Sequence, residues 1–299
     1  MPPLLRNRGF LFLLGGSFLS LLAPWCQRTA VLIWVYQLTH SGVGVSLVGL
    51  AEALPLLVMA PVAGVFVDRW DRSRTMTGVV LVQAALMLPL LLVRDASGIP
   101  IILAVTLLVN AASQFFQPAA AAALPAVVGE GAVGEANGLL QISSSIVPII
   151  GPGAAGLLFA AAGPHWLVVV IAAVYLVSTL PLSRVPARRA EGATREAMSF
   201  VAEMRDGLAY VKRSRLLLLL MLVAFVAMLG FGGLSVLDVV FVTRALGRPS
   251  ETVGVLLSAT GIGQLLGGIL IFSLSRRVAA RYHLVLGFSV LLSGVFTLL

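Results

Sequence analysis

The sequence predicts an all-α polytopic membrane protein. Three observations lead there: an apolar composition, a recurrence of long apolar runs, and arginines gathered on one side of those runs. Of 299 residues, 59% are hydrophobic and 11% charged, against about 45–50% and about 25% in an ordinary soluble domain. The mean hydropathy is +1.04, and so few charged side chains cannot cover a 31.3 kDa globule. Most of the chain therefore has the bilayer as its solvent. One cysteine, Cys26, excludes a disulfide scaffold. The net charge of +8 reads as membrane sidedness; the expected partner is the lipid bilayer and not nucleic acid.

A hydrocarbon core about 30 Å thick is crossed by about 20 helical residues. Nine such runs occur, over residues 10–37, 44–67, 75–93, 99–118, 137–161, 166–183, 216–241, 253–274 and 283–299. Barrel strands would be about 10 residues long and alternate in polarity, so helices are preferred. Span 1 follows Arg6 and Arg8, and the bulky Ala23, Pro24 and Trp25 before Cys26 do not suit a lipoprotein cleavage site. Span 2 closes on the basic turn holding Arg69, Arg72 and Arg74, and span 3 on Arg94. Span 4 leads into Gly129, Gly131 and Gly134, whose spacing fits a dinucleotide loop but lacks the preceding strand, so it reads as a turn. Spans 5 and 6 precede the longest polar stretch, 183–215. Span 7 carries Asp238 near its outer end as an interfacial residue, and span 8 carries Gly263 and Gly267 as a helix-packing pair.

With a cytoplasmic N-terminus, the inner segments hold sixteen of the twenty Lys and Arg residues, eight of them between Arg184 and Arg215. Outer loops hold Arg94, Arg244 and Arg248, and Arg28 lies within span 1. The positive-inside rule thereby fixes orientation and the parity of the spans. The division that follows is a six-span bundle over 1–183, a basic linker over 184–215, and the first three spans of a second bundle over 216–299. In the linker, Val201, Met204, Leu208 and Val211 share one face, which predicts an amphipathic helix lying on the cytoplasmic surface. The chain ends at Thr297, Leu298 and Leu299 inside an apolar run, with the expectation that three spans of the second bundle are missing.

Residues 64–74 read GVFVDRWDRSR at the cytoplasmic end of span 2. Gly64 allows close helix approach, Asp68 can accept hydrogen bonds or pair with a guanidinium, and Arg69, Arg72 and Arg74 supply multidentate donors beside Asp71. This pattern resembles the signature loop of the major facilitator superfamily, twelve-span transporters made of two six-span bundles. Further segments resemble the branch containing siderophore exporters and macrolide-type drug efflux proteins: Gln117-Pro118, Leu124-Pro125, Ala136 to Leu139, Gly151 to Gly156, Phe200 to Tyr210, Phe241 to Arg244, and Gly267-Gly268. Span 5, with Pro148, Gly151, Pro152 and Gly156, resembles the exporter-associated packing motif, although Val147 and Ala155 stand where that motif prefers glycine. Asn110 occupies the approximate place where many drug antiporters of the family carry an arginine.

Charge at membrane depth is costly, which singles out Arg28 and Glu52. Both fall about 12–14 Å below the outer surface by the helical rise. Two readings stand: a permanent ion pair, or a site where Glu52 exchanges a proton or meets a cationic substrate while Arg28 tunes its proton affinity. Gln27, Asn110, Gln114 and Gln141 either line a cavity or bond between helices. Trp25, Trp34, Phe115 and Phe116 either stack on a substrate or pack against lipid and core.

The resemblance implies a secondary transporter and not an enzyme, exporting amphipathic small molecules of drug or siderophore class by alternating access, driven by protons, in the plasma (inner) membrane of a bacterium. In it, the Asp68 loop latches the cytoplasmic side. The competing expectation is a polytopic membrane enzyme or a nine-span assembly subunit. An enzyme would show convergent nucleophile, base or metal residues. None occur: His40, His165 and His283 lie in separate loops, and there is no phosphate-binding Gly-Lys-Ser/Thr loop. No cofactor or metal is expected, and the oligomeric state is left open.

Overall fold

The computed structural model describes residues 3–67, 70–186, 214–215, 217–219, 222, 238–263 and 266. The predicted amphipathic helix over 201–211, span 9, most of span 7, the second half of span 8, and Asp68 and Arg69 lie outside them. Five long helices account for the first six spans: α1 (Arg8–Thr39), α2 (Gly42–Val67), α3 (Arg72–Met87), α4 (Ile99–Val128) and α5 (Val133–Leu182).

Each helix end has a local cause. Asn7 caps α1 by accepting the Phe10 N–H, and its own amide reaches across to the Val127 carbonyl at 2.9 Å. His40 ends α1 in the left-handed region, φ 49°, donating its N–H to the Tyr36 carbonyl. Asp71 caps α3, which tightens into a 3₁₀ turn over Leu88–Leu92 where Pro89 has no N–H to give. In the loop before α4, the hydroxyl and then the backbone N–H of Ser97 hold the Asp95 carboxyl below the ordinary aspartate range. Helix α4 outruns its expected end at 118, passing Pro118 and Pro125 before Gly129 stops it at φ 79°. A proline within a long buried helix leaves one carbonyl without its usual partner but does not end the helix when tertiary contacts hold both sides.

Spans 5 and 6 are joined with almost no loop. Helical geometry in α5 breaks only at Gly163 (φ 79°, ψ 176°), a conformation suited to glycine, and Pro164 follows. The chain folds back there: Cys26 of α1 meets Gly151 on the first arm, whereas Gln27 meets Tyr175 and Trp34 meets His165 on the second. The first arm thus runs parallel to α1 and the second antiparallel.

Helix α1 packs mainly on α5, α2 on α4, and α3 between α4 and α5. The core along these contacts includes Phe10, Leu13, Ile33, Met76, Met87, Ile102, Leu124, Leu167, Ile171 and Tyr175, all buried. The outer surface is equally apolar: Leu50, Leu88, Leu92, Leu157, Leu176 and Leu180 are exposed. A molecule apolar on both inside and outside is built for lipid. Among the described residues, four helical stretches are long and apolar enough to cross a bilayer, Arg8–Thr39, Arg72–Leu92, Ala96–Val128 and Glu130–Leu182, and the last is long enough to cross twice.

Candidate functional site

Arg28 and Glu52 meet. Arg28 Nε lies 3.4 Å from Glu52 Oε2, with the side chains 32% and 20% exposed. The guanidinium also stands 5.8 Å from the centroid of the Trp25 ring, within cation–π range. The short turn between α1 and α2 brings the two depths into register. A cavity of about 200 Å³ opens beside the pair, lined also by Gln27, Thr106 and Asn110. Gln27 is 3% exposed; its Oε1 receives only a long hydrogen bond from the Tyr175 hydroxyl at 3.5 Å, and its Nε2 has no partner. One polar atom of Gln27 is thus buried without a hydrogen-bond partner beside the cavity.

Two further cavities continue from this one. The next, about 360 Å³, shares Pro24 and Asn110 with the first and is lined by Gln83, Ser113, Gln114 and Gln117. The last, about 250 Å³, shares Leu21, Phe116 and Gln117 with the second and reaches Asn137 and Gln141 near the start of α5. Together they form a row along α1 and α4, a polar path from the Arg28–Glu52 pair to Asn137 and Gln141 at the start of α5. On α4, Asn110 donates one amide N–H to the Thr106 carbonyl at 2.8 Å and Gln114 one to the Asn110 carbonyl at 3.2 Å, which fixes both side chains along their own helix. Their amide oxygens are left as acceptors along the path.

Sequence reasoning missed several of these groups. Gln83 is buried on α3 and donates to the Ser113 hydroxyl at 2.8 Å and the Val109 carbonyl at 3.3 Å, fixing α3 to α4 beside the second cavity. A glutamine inside an apolar span was the available signal. Of the four candidate aromatics, Trp25 and Phe116 line the path. Trp34 is buried edge-on against His165, and Phe115 faces elsewhere, stacked on Trp70 at 6.1 Å.

At the signature loop, Gly64 lies within α2, and Asp71 Oδ1 accepts the Arg74 N–H at 2.8 Å as the cap of α3. Arg72 is buried and Arg74 exposed. Ser73 donates to the Leu182 carbonyl at 2.8 Å, tying the start of α3 to the end of α5.

The span-5 residues divide between two neighbours. Gly151 faces α1: a Cβ there would come within 2.8 Å of Trp25 Cβ, and its carbonyl receives the Cys26 thiol at 3.4 Å. Pro148, Pro152 and Gly156 face the helical segment 253–263. Pro152 has no N–H, which frees the Pro148 carbonyl, and Gly261 sits against it; Gly254 sits equally close to the Pro152 carbonyl and the Gly156 Cα. Ser258 donates to the Ile149 carbonyl at 2.6 Å. The packing glycines of this segment are therefore Gly254 and Gly261. A Cβ on Gly263 would meet nothing within 4 Å, and Gly267 is outside the described residues.

The C-terminal end of α1 is bound to residues 243–251, a set no sequence motif announced. Gln37 Nε2 donates to Glu251 Oε1 at 2.8 Å and to the Ser250 hydroxyl at 3.0 Å. The Tyr36 and Thr243 hydroxyls are 2.8 Å apart, and Arg244 donates to the His40 carbonyl at 3.2 Å.

Apolar helices of membrane length around a polar path with an embedded ion pair define a polytopic membrane protein of transporter architecture. Residues 10–299 match the Major Facilitator Superfamily, and the chain belongs to that family, whose members are transporters rather than enzymes. Over 300 residues it is 27% identical to the MFS-type transporter YfiS of Bacillus subtilis, covering 99% of this chain and 70% of that one. Over 260 residues it is 25% identical to macrolide efflux protein A of Streptococcus pyogenes, covering 86% and 64%. The chain thus spans about two thirds of the length of these relatives. Its fold is similar to that of a bacterial homologue of the human lysosomal transporter Spinster, in an inward-facing and unoccupied conformation. That likeness has a TM-score of 0.62 at 17% identity over 93% of this chain and 64% of the other.

Proposed function

We propose that the chain belongs to a proton-coupled exporter of amphipathic small molecules, working by alternating access in the plasma membrane with a cytoplasmic N-terminus. The observation that carries this is the Arg28–Glu52 pair at the outer end of a polar path, beside a buried glutamine with an unused polar atom. Intramembrane ionisable residues on a cavity mark ion or substrate routes. In this reading Glu52 carries the proton, Arg28 stabilises its ionised form, and Trp25 and Phe116 offer aromatic faces to the substrate. The substrate class is drawn from the similarity to a macrolide efflux protein.

The six-span bundle over 1–183 moves against the unit over 216–299, with the linker over 184–215 between them. Contacts of Gln37 with Glu251 and of Tyr36 with Thr243 hold the outer side together in the present conformation, and the path opens toward the cytoplasm. The signature loop, Gly64 to Arg74, latches the opposite side when the units rock.

The test uses a drug-sensitive bacterial strain expressing the full gene, loaded with ethidium or radiolabelled erythromycin. Expected is lowered accumulation, abolished by a protonophore and reduced at least tenfold in Glu52→Gln. Efflux that persists after collapse of the proton gradient overturns the coupling. Unchanged efflux in Glu52→Gln, with Arg28→Gln/Glu52→Gln equally active, assigns the pair to structure alone.

A further inference from the structure

A cavity of about 840 Å³ lies off the polar path. It is walled by Val79 and Val82 of α3 and by Ala112 and Phe115 of α4, with Trp70 and Arg74 at its mouth. At about 100° per residue, Ala112 and Phe115 stand about 140–200° around α4 from Asn110, whereas Gln114 is within about 40° of it. The groove is thus on the back of α4. Exposed Leu108 and Val82 flank it, which turns it toward lipid. Its mouth is at the signature loop, the cytoplasmic end of α3.

We propose that this groove holds one anionic phospholipid of the cytoplasmic leaflet, its phosphate on Arg74 and one acyl chain along the α3–α4 wall. The volume falls in the range of about 300–1,000 Å³ typical of ligand sites. Gly78 leaves the floor open, since a Cβ there would meet nothing within 4 Å. Arg74 is exposed at the mouth, and a guanidinium matches phosphate oxygens with paired donors. Asp71 does not cancel it fully, because one carboxylate oxygen is held by the Arg74 N–H at the cap. The loop 64–74 carries three arginines against two aspartates, so its balance favours an anion. Trp70, 46% exposed and stacked on Phe115, stands where a headgroup meets the first methylenes of a chain. The inference rests on the cytoplasmic placement of the signature loop in the proposed function but on neither coupling nor substrate, so its failure leaves the transport reading untouched.

Tryptophan quenching in nanodiscs tests it. The chain has four tryptophans, so the Trp70 signal is the difference between the wild type and Trp70→Phe. At equal mole fraction, dibrominated phosphatidylglycerol is expected to quench that signal at least twofold more than dibrominated phosphatidylcholine. Arg74→Gln should bring the ratio to one, and Arg74→Lys should keep part of the preference. Gly78→Leu, which fills the floor without touching the charge, should weaken quenching by both lipids. Equal quenching by the two lipids in the wild type, a preference that survives Arg74→Gln, or no quenching by either lipid each overturns the proposal.

Discussion

At the scale of single residues, the energetics concentrate on Arg28 and Glu52. Removing one partner of a fully buried pair costs roughly 3–5 kcal/mol, because the survivor is left charged in a poor solvent. Here the side chains keep 32% and 20% exposure, so each single variant, Arg28→Gln or Glu52→Gln, should cost less, on the order of 1–3 kcal/mol. The double variant should cost less than the sum of the singles, since it leaves no charge unpaired. Thermal unfolding in detergent of the four proteins measures this; strict additivity would show that the pair is not coupled. The positions were legible in the sequence because charge at membrane depth is rare. The partnership with Trp25 and Gln27 was not, since it depends on side-chain direction and not on spacing.

At the scale of elements, α3 shows how a signature residue also serves local structure. Asp71 satisfies an otherwise orphan N–H in the first turn, and an Asp to Ala change at such a cap costs about 1 kcal/mol. Asp71→Ala should therefore speed hydrogen exchange at Arg74 and Thr75 severalfold, while Asp71→Ser should leave it near the wild-type rate; equal exchange in all three would remove the cap from the account. Helix existence and order were readable because runs of about 20 apolar residues have few alternatives in a bilayer. Helix ends were less readable. Span 4 is expected to end at 118, yet α4 continues to Val128, whereas the turn at Gly163 falls in the short gap expected between spans 5 and 6. Gly254 and Gly261 escaped notice for a related reason: their role is set by the prolines of a distant helix, and nothing in their own neighbourhood distinguishes them from Gly263.

At the scale of the whole molecule, the contacts between α1 and residues 243–251 would, in the proposed transport cycle, hold the outer side closed. They are polar, few and near the surface, so removing two should shift the population without unfolding the bundle. With Cys26→Ser as background, the prediction concerns Asn110→Cys on the path. Gln37→Ala/Glu251→Ala should raise its labelling by an impermeant maleimide added outside severalfold. Unchanged labelling would show that this seam does not guard the outer entrance.

The seam between the first arm of α5 and segment 253–263 behaves differently. Gly261 lies against the Pro148 carbonyl, which Pro152 leaves without its helical partner, Gly254 lies against the Pro152 carbonyl, and Ser258 supplies a side-chain hydrogen bond across the seam. Weak Cα–H···O contacts lose little when their angles change. Two backbones joined in this manner touch like bearings at a few smooth points, so the friction opposing a tilt of segment 253–263 against the first arm of α5 is small.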